Sequence, residues 1–179
     1  MSNSIKISYN NSNYEFPLIE GTENEKGIDI QNLRSKTGLI TYDPGYKNTG
    51  SCKSNITFLN GEEGILRYRG HSIEELCSKA SFVQVAYLLI YGELPNENEL
   101  LVFENDIKKE SIVDEDLKSI LKSFPKSAHP MGVLASLTSA LIAFNPSSVD
   151  VDSDYEMREA IAMLVAKFPI LSSWAHRKI

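Results

Sequence analysis

The sequence predicts a mainly α, multi-helical protein with a small β-rich N-terminal region. Three observations carry that prediction. Period-two alternation and hairpin turn signals fall within residues 1–70. Beyond Gly70 the apolar residues recur at helical spacing. The run His129–Phe144, HPMGVLASLTSALIAF, is long, nearly uncharged and bounded by Pro130 and by Asn145-Pro146. The chain is therefore expected to divide into a β-rich region with hairpins, 1–70, and a helical part of a larger domain, 71–179.

Ile5, Ile7 and Tyr9, then Tyr14, Phe16 and Leu18, alternate with polar residues across an Asn/Ser-rich turn, which predicts a hairpin. Residues 20–27 read as a loop, and 28–33 as a short strand or one helical turn closed near Gly38. Leu39-Ile40-Thr41 reads as a short strand entering the turn Asp43-Pro44-Gly45. Ile56–Leu59 and Ile65–Tyr68 flank Asn60-Gly61-Glu62-Glu63-Gly64, the strongest hairpin signal in the chain.

Ser72 with Glu75 and Ser153 with Glu156 fit the capping box, and Asn96 with Glu99 is a looser relative. Each fixes a helix start, because the cap oxygen satisfies an N–H that has no partner inside the helix. A short helix is expected over 73–79. Phe82–Tyr91 is apolar almost all round, predicts a buried helix, and ends at Gly92. From Glu97 onward Leu100, Phe103 and Ile107 share a face; after a break near Ser111, so do Leu117, Ile120, Leu121 and Phe124. The opposite face is dense in both charges and reads as solvated surface.

Pro130 suits the first helical position, where its missing N–H costs nothing. Gly132, Ala135, Ser136, Ser139, Ala140 and Ala143 then form one small-residue stripe. A helix this apolar is expected to be buried, with the stripe admitting a second helix at close range. Two readings follow from the pattern, a central core helix or a subunit-contact helix. The last helix is expected from Asp154, with Met157, Ile161, Leu164 and Phe168 inward and a kink or break at Pro169. It runs to Arg177-Lys178-Ile179 without a C-cap glycine, so the chain is expected to be a piece of a longer protein.

At 179 residues with 42% hydrophobic content the chain can bury a sizeable core. A net charge of -6 argues against nucleic acid or an anionic membrane as partner. No signal peptide, transit peptide or long apolar span is present, which predicts a cytoplasmic protein. Cys52 and Cys77 show no metal-ligand spacing and read as reduced and structural. No zinc-protease, phosphate-loop or nucleophile-elbow motif occurs. His71 reads as a turn residue, His129 as a helix cap, and His176 as part of a basic helix C-terminus. Arg67 and Arg69 read as strand-surface charges, with anion binding as the less economical reading. From residues alone the site assignment is none for catalysis, none for cofactor and none for metal.

Thr41-Tyr42-Asp43-Pro44-Gly45, Ser51–Thr57, Asn60–Gly70, Ser72-Ile73-Glu74-Glu75-Leu76, Tyr91-Gly92-Glu93-Leu94-Pro95 and His129-Pro130-Met131 together resemble the N-terminal portion of citrate synthases of the bacterial type. The resemblance implies a citrate-synthase-like large-domain segment with a small β-rich N-terminal region. It implies an acyltransferase of the tricarboxylic acid cycle that condenses acetyl-CoA with oxaloacetate and water to citrate and CoA. Acetyl-CoA enters as substrate and no cofactor is implied. The family's catalytic His, Asp and Arg motifs lie beyond Ile179, so the 179-residue segment alone is expected to be inactive. The resemblance also implies a homo-oligomer, with the 130–144 helix in the contact. Some bacterial members have an NADH site marked by Arg-His-Thr-Met and a later Tyr; here Lys109-Glu110-Ser111-Ile112 and Asn145 stand there, which argues against NADH control. The alternatives are 2-methylcitrate synthase, or a truncated non-catalytic helical self-association module.

Overall fold

The structure is a computed structural model that describes residues 3–146 and 152–178; Met1, Ser2 and Ile179, which the readings of the termini included, lie outside them. The chain forms two compact units, 1–54 and 55–179.

In the first unit, β1 (Ser4–Tyr9) and β2 (Ser12–Glu20) pair antiparallel, with Ile5 opposite Phe16. The reversal falls on Asn10 and Asn11, at φ 49° and 61°. Asparagine tolerates that left-handed backbone, and tight hairpins need it. β3 (Lys26–Ile28) pairs with the other side of β2, so the end of the expected loop is strand. A backbone bond from Gly21 N–H to Glu25 O (2.8 Å) closes the intervening turn and returns the chain to the sheet. Phe16 is fully buried, with the Lys36 ammonium 5.5 Å from its ring centre. The one-turn helix α1 (Leu33–Thr37) ends at Gly38, whose φ of 75° suits only glycine well. The strand expected at Leu39–Thr41 does not form. Among the described residues nothing pairs with it, and Ile40 and Tyr42 are 72% and 90% exposed. Instead the Asp43 carboxylate accepts from the Lys47 and Asn48 N–H groups (3.2 and 3.0 Å) and from the Thr49 hydroxyl, tying the segment into a polar loop.

The second unit opens with β4 (Thr57–Asn60), β5 (Ile65–Tyr68) and β6 (His71–Ser72), a small antiparallel sheet. Arg69, at φ 50°, turns the chain and donates from Nη2 to Leu89 O (2.9 Å). That oxygen belongs to the last turn of a helix, where carbonyls lack internal partners and a cation is favourable. Arg67 lies over the Phe58 ring across the β4–β5 ladder. Both arginines are thus engaged within the chain.

The Ser72 hydroxyl caps α2 (Ile73–Lys79), accepting from Glu75 N–H at 3.2 Å. The return half of that box is missing, because the Glu75 carboxylate bonds Lys79 at 3.0 Å instead. The complete boxes are Asn96–Glu99 on α4 (Glu97–Glu110), and Ser81–Gln84 on α3 (Phe82–Tyr91), which the sequence reading passed over. α3 is not buried all round: Leu88 is, whereas Phe82 is 73% exposed. It packs on α4, where Tyr87 and Tyr91 meet Phe103 edge-on with ring centres 5.5 and 5.9 Å away. Asp114 caps α5 (Glu115–Ser123).

The core gathers Leu117 of α5, Val133, Leu134, Leu137 and Leu141 of α6 (Pro130–Phe144), and Leu171 and Ala175 of α7 (Asp154–Lys178). α7 runs through Pro169 without a break. Packing of Ala166, Leu171 and Ala175 on either side offsets the lost hydrogen bond. Its inward face also differs from expectation. Ala162, Met163, Ala166, Lys167, Leu171 and Ala175 are buried, while Met157, Leu164 and Phe168 are exposed. The alanines permit close approach, and two ion pairs to α4 fix the rotation. Arg158 Nε and Nη2 donate to Asp106 Oδ2 (3.0 and 2.6 Å), and Lys167 Nζ donates to Glu110 Oε2 (2.8 Å). The charged face of α4 is therefore a helix–helix seam in part and not merely solvated.

Candidate functional site

The candidate site is the outward face of α6. His129 sits at the N-cap, its Nδ1 accepting from Met131 N–H at 3.2 Å, and Pro130 takes the first helical position. The large residues Val133, Leu134, Leu137 and Leu141 turn into the core, Leu137 completely. Burial on all sides, as the sequence suggested, does not occur. Gly132, Ala135, Ser136, Ser139 and Ala143 are exposed, with Met131 and Ile142 63% and 56% exposed beside them; Ala140 is half-buried against the core. Neighbouring helices cover one side of α6 only, so segregating large from small residues around the rod decides which side that is.

The exposed face is less polar than its composition implies. The Ser136 and Thr138 hydroxyls donate to the carbonyls of Gly132 and Leu134, four residues back (2.9 and 2.8 Å). Gly132 stands in open space: a Cβ added there would meet nothing within 4 Å. Nothing among the described residues therefore demands glycine, although glycine is a poor helix former. α7 supplies a second wall through Ala160, Leu164 and Phe168. Together the two helices border an open, largely apolar groove of about 570 Å³, floored by Leu134, Leu141 and Met163. The groove residues of α7 were missed because the sequence reading turned that face inward. The i, i+4, i+8 series Ala160, Leu164, Phe168 was the available signal.

The three histidines lie on separate elements: His71 half-buried on β6, His129 at the α6 cap, and His176 exposed on the last turn of α7. Among the described residues, no group of three His, Cys, Asp or Glu side chains is arranged to hold a metal ion. Cys52 and Cys77 are free, and both are exposed. Lys109 pairs with Asp106 (3.8 Å), Glu110 with the buried Lys167, and Asn145 Nδ2 donates to Leu141 O (2.9 Å). Those residues therefore hold helices and helix ends together. No helix among the described residues is long and apolar enough to cross a membrane.

The family model described as "Citrate synthase, C-terminal domain" matches residues 45–179. The chain is 41% identical over 176 residues to a citrate synthase of Corynebacterium glutamicum, covering 98% of this chain and 40% of that protein. It is 39% identical over 178 residues to a citrate synthase of Helicobacter pylori, covering 99% of this chain and 42% of that protein. Among solved structures, the citrate synthase of Pyrobaculum aerophilum superposes with a TM-score of 0.65 at 30% identity over 79% of this chain and 39% of the other. A citrate synthase of Thermoplasma acidophilum, in ternary complex with carboxymethyl coenzyme A and oxaloacetate, gives a TM-score of 0.67 at 22% identity over 75% of this chain and 35% of the other, and shares the fold. The chain thus spans about two fifths of the length of the curated relatives it matches. A family match over three quarters of its residues, a mainly helical fold and a shared architecture with solved members establish that this chain belongs to the citrate synthase family.

Proposed function

We propose that this chain is the scaffold segment of an enzyme that condenses acetyl-CoA with oxaloacetate and water to citrate and CoA. In this reading the reacting groups come from sequence beyond Ile179, and the segment contributes the helical frame and a self-association face. The observation that carries it is identity of about 40% to proteins named citrate synthase along nearly the whole chain. The condensation passes through an enolate, which needs a base and hydrogen-bond donors placed where charge develops. His129 is occupied as a helix cap, and Arg69 is committed to Leu89 O, which supports a scaffold role.

The self-association reading rests on the unpartnered α6 face. A second α6 could approach closely along Gly132, Ala135, Ser136 and Ser139, and the groove offers apolar area to bury. The expected location is the cytoplasm. The test is thiol release from acetyl-CoA plus oxaloacetate. We expect none above background from residues 1–179, and turnover from a protein extended to the length of its relatives. Release by the segment alone would overturn the scaffold reading, and an inert extended protein would overturn the enzyme reading. Preference for propionyl-CoA in the extended protein would replace citrate with 2-methylcitrate as product.

A further inference from the structure

The Asn60-Gly61 turn of the β4–β5 hairpin carries chemistry that neither the fold nor the condensation uses. We propose that Asn60 is a modification site, at which the Gly61 backbone nitrogen displaces the side-chain amide as ammonia and leaves an aspartyl or isoaspartyl residue. Three observations converge on it.

Asn60 is the one asparagine in the chain followed by glycine. Gly61 is exposed, carries no side chain of its own to crowd the attacking nitrogen, and a Cβ added to it would meet nothing within 4 Å, so the turn is open to solvent base. Asn60 Oδ1 accepts from the N–H groups of Glu62 and Glu63, both at 3.1 Å. Those bonds direct the side chain towards the residues that follow it in the chain, the direction in which the ring must close. They also place two donors on the oxygen that becomes negative as the nitrogen attacks, an oxyanion-hole arrangement in miniature.

The atoms balance with water alone. Hydroxide removes the Gly61 amide proton, and the nitrogen forms a bond to Cγ of Asn60. The Cγ–Nδ2 bond breaks, and the amide leaves as ammonia with a proton from water. Water then opens the five-membered imide. Cleavage at Cγ gives the aspartyl form; cleavage at the main-chain carbonyl gives the isoaspartyl form, with one extra methylene in the backbone. Either product puts a new carboxylate beside Glu62 and Glu63, and the isoaspartyl form lengthens a turn whose register sets Asn60 opposite Ile65.

The folded chain is incubated at mildly alkaline pH, and the peptide containing position 60 is followed by mass spectrometry and isoaspartate detection. We expect the amide-to-acid mass change there, in both product forms. Gly61→Ala should slow it by crowding the nitrogen. Glu62→Pro removes one donor and should slow it about 5-fold, the worth of one typical hydrogen bond. Intact mass in the folded chain, with conversion only after unfolding in urea, would overturn the proposal. An unchanged rate in a folded Glu62→Pro variant would overturn the role given to the donors. Circular dichroism of each variant shows which case applies.

Discussion

Replacing Gly132 by alanine separates what the chain needs for itself from what its exposed face is shaped to meet. Gly132 occupies the third position of α6, has no positive φ, and faces space with nothing within 4 Å of an added Cβ. A methyl group there costs no packing. It removes backbone freedom from the unfolded chain, worth roughly 0.5–1 kcal/mol in a helix. For a chain of this size that raises the melting temperature by roughly 1–4 °C. Thermal and urea unfolding of the isolated segment measure it. The same methyl opposes close approach of a second helix, so the extended protein should associate more weakly by sedimentation equilibrium. Ser139→Leu, which puts a larger side chain into the groove, should weaken association further. Ala140 is a poorer probe, because it packs against the chain's own core. A destabilised Gly132→Ala segment would refute the open-space reasoning. A stabilised one whose extended form associates as tightly as before would refute the contact assignment.

The Lys167–Glu110 pair should respond asymmetrically. The lysine side chain is 7% exposed and the glutamate 32%, so Glu110→Gln strands a buried ammonium and should cost roughly 2–4 kcal/mol. Lys167→Met leaves a carboxylate that still reaches water and should cost less, a comparison that urea midpoints make directly. Arg69→Ala removes the cation and hydrogen bond at Leu89 O and should cost about 1–2 kcal/mol, with faster amide exchange in the last turn of α3. The Thr49 hydroxyl, helped by the Asn48 and Lys47 N–H groups, holds Asp43 below its ordinary value of 3.8. A depressed folded value means the loop bonds contribute fully above the unfolded value and are lost as pH falls through the folded one. The NMR titration of Asp43 should therefore lie below 3.8, and Thr49→Val should move it upward.

Asn10-Asn11, Gly64 and Gly92 announced their turns because few residues adopt the backbone those turns require. Asn96 and Ser72 announced helix starts because a cap oxygen works within three residues. The segment 39–41 failed because strand propensity has no force without a partner strand. The inward face of α7 failed for a related reason. Met157, Leu164 and Phe168 are larger and more apolar than Ala162 and Ala166, so composition favoured the wrong side. Family membership was legible because the quoted motifs keep their order along the chain.

The sequence by itself determined the helices beyond Gly70, the two main hairpins and the family, since caps, turns and periodicity act over a few residues. It also determined that α6 carries large residues on one side and small ones on the other. Only the tertiary structure decided that the small side is left uncovered, that α7 turns its alanines and Lys167 inward, and that α4's charges form a seam. Those outcomes depend on which helices meet at what rotation, where close approach and paired charges outweigh the local count of apolar residues.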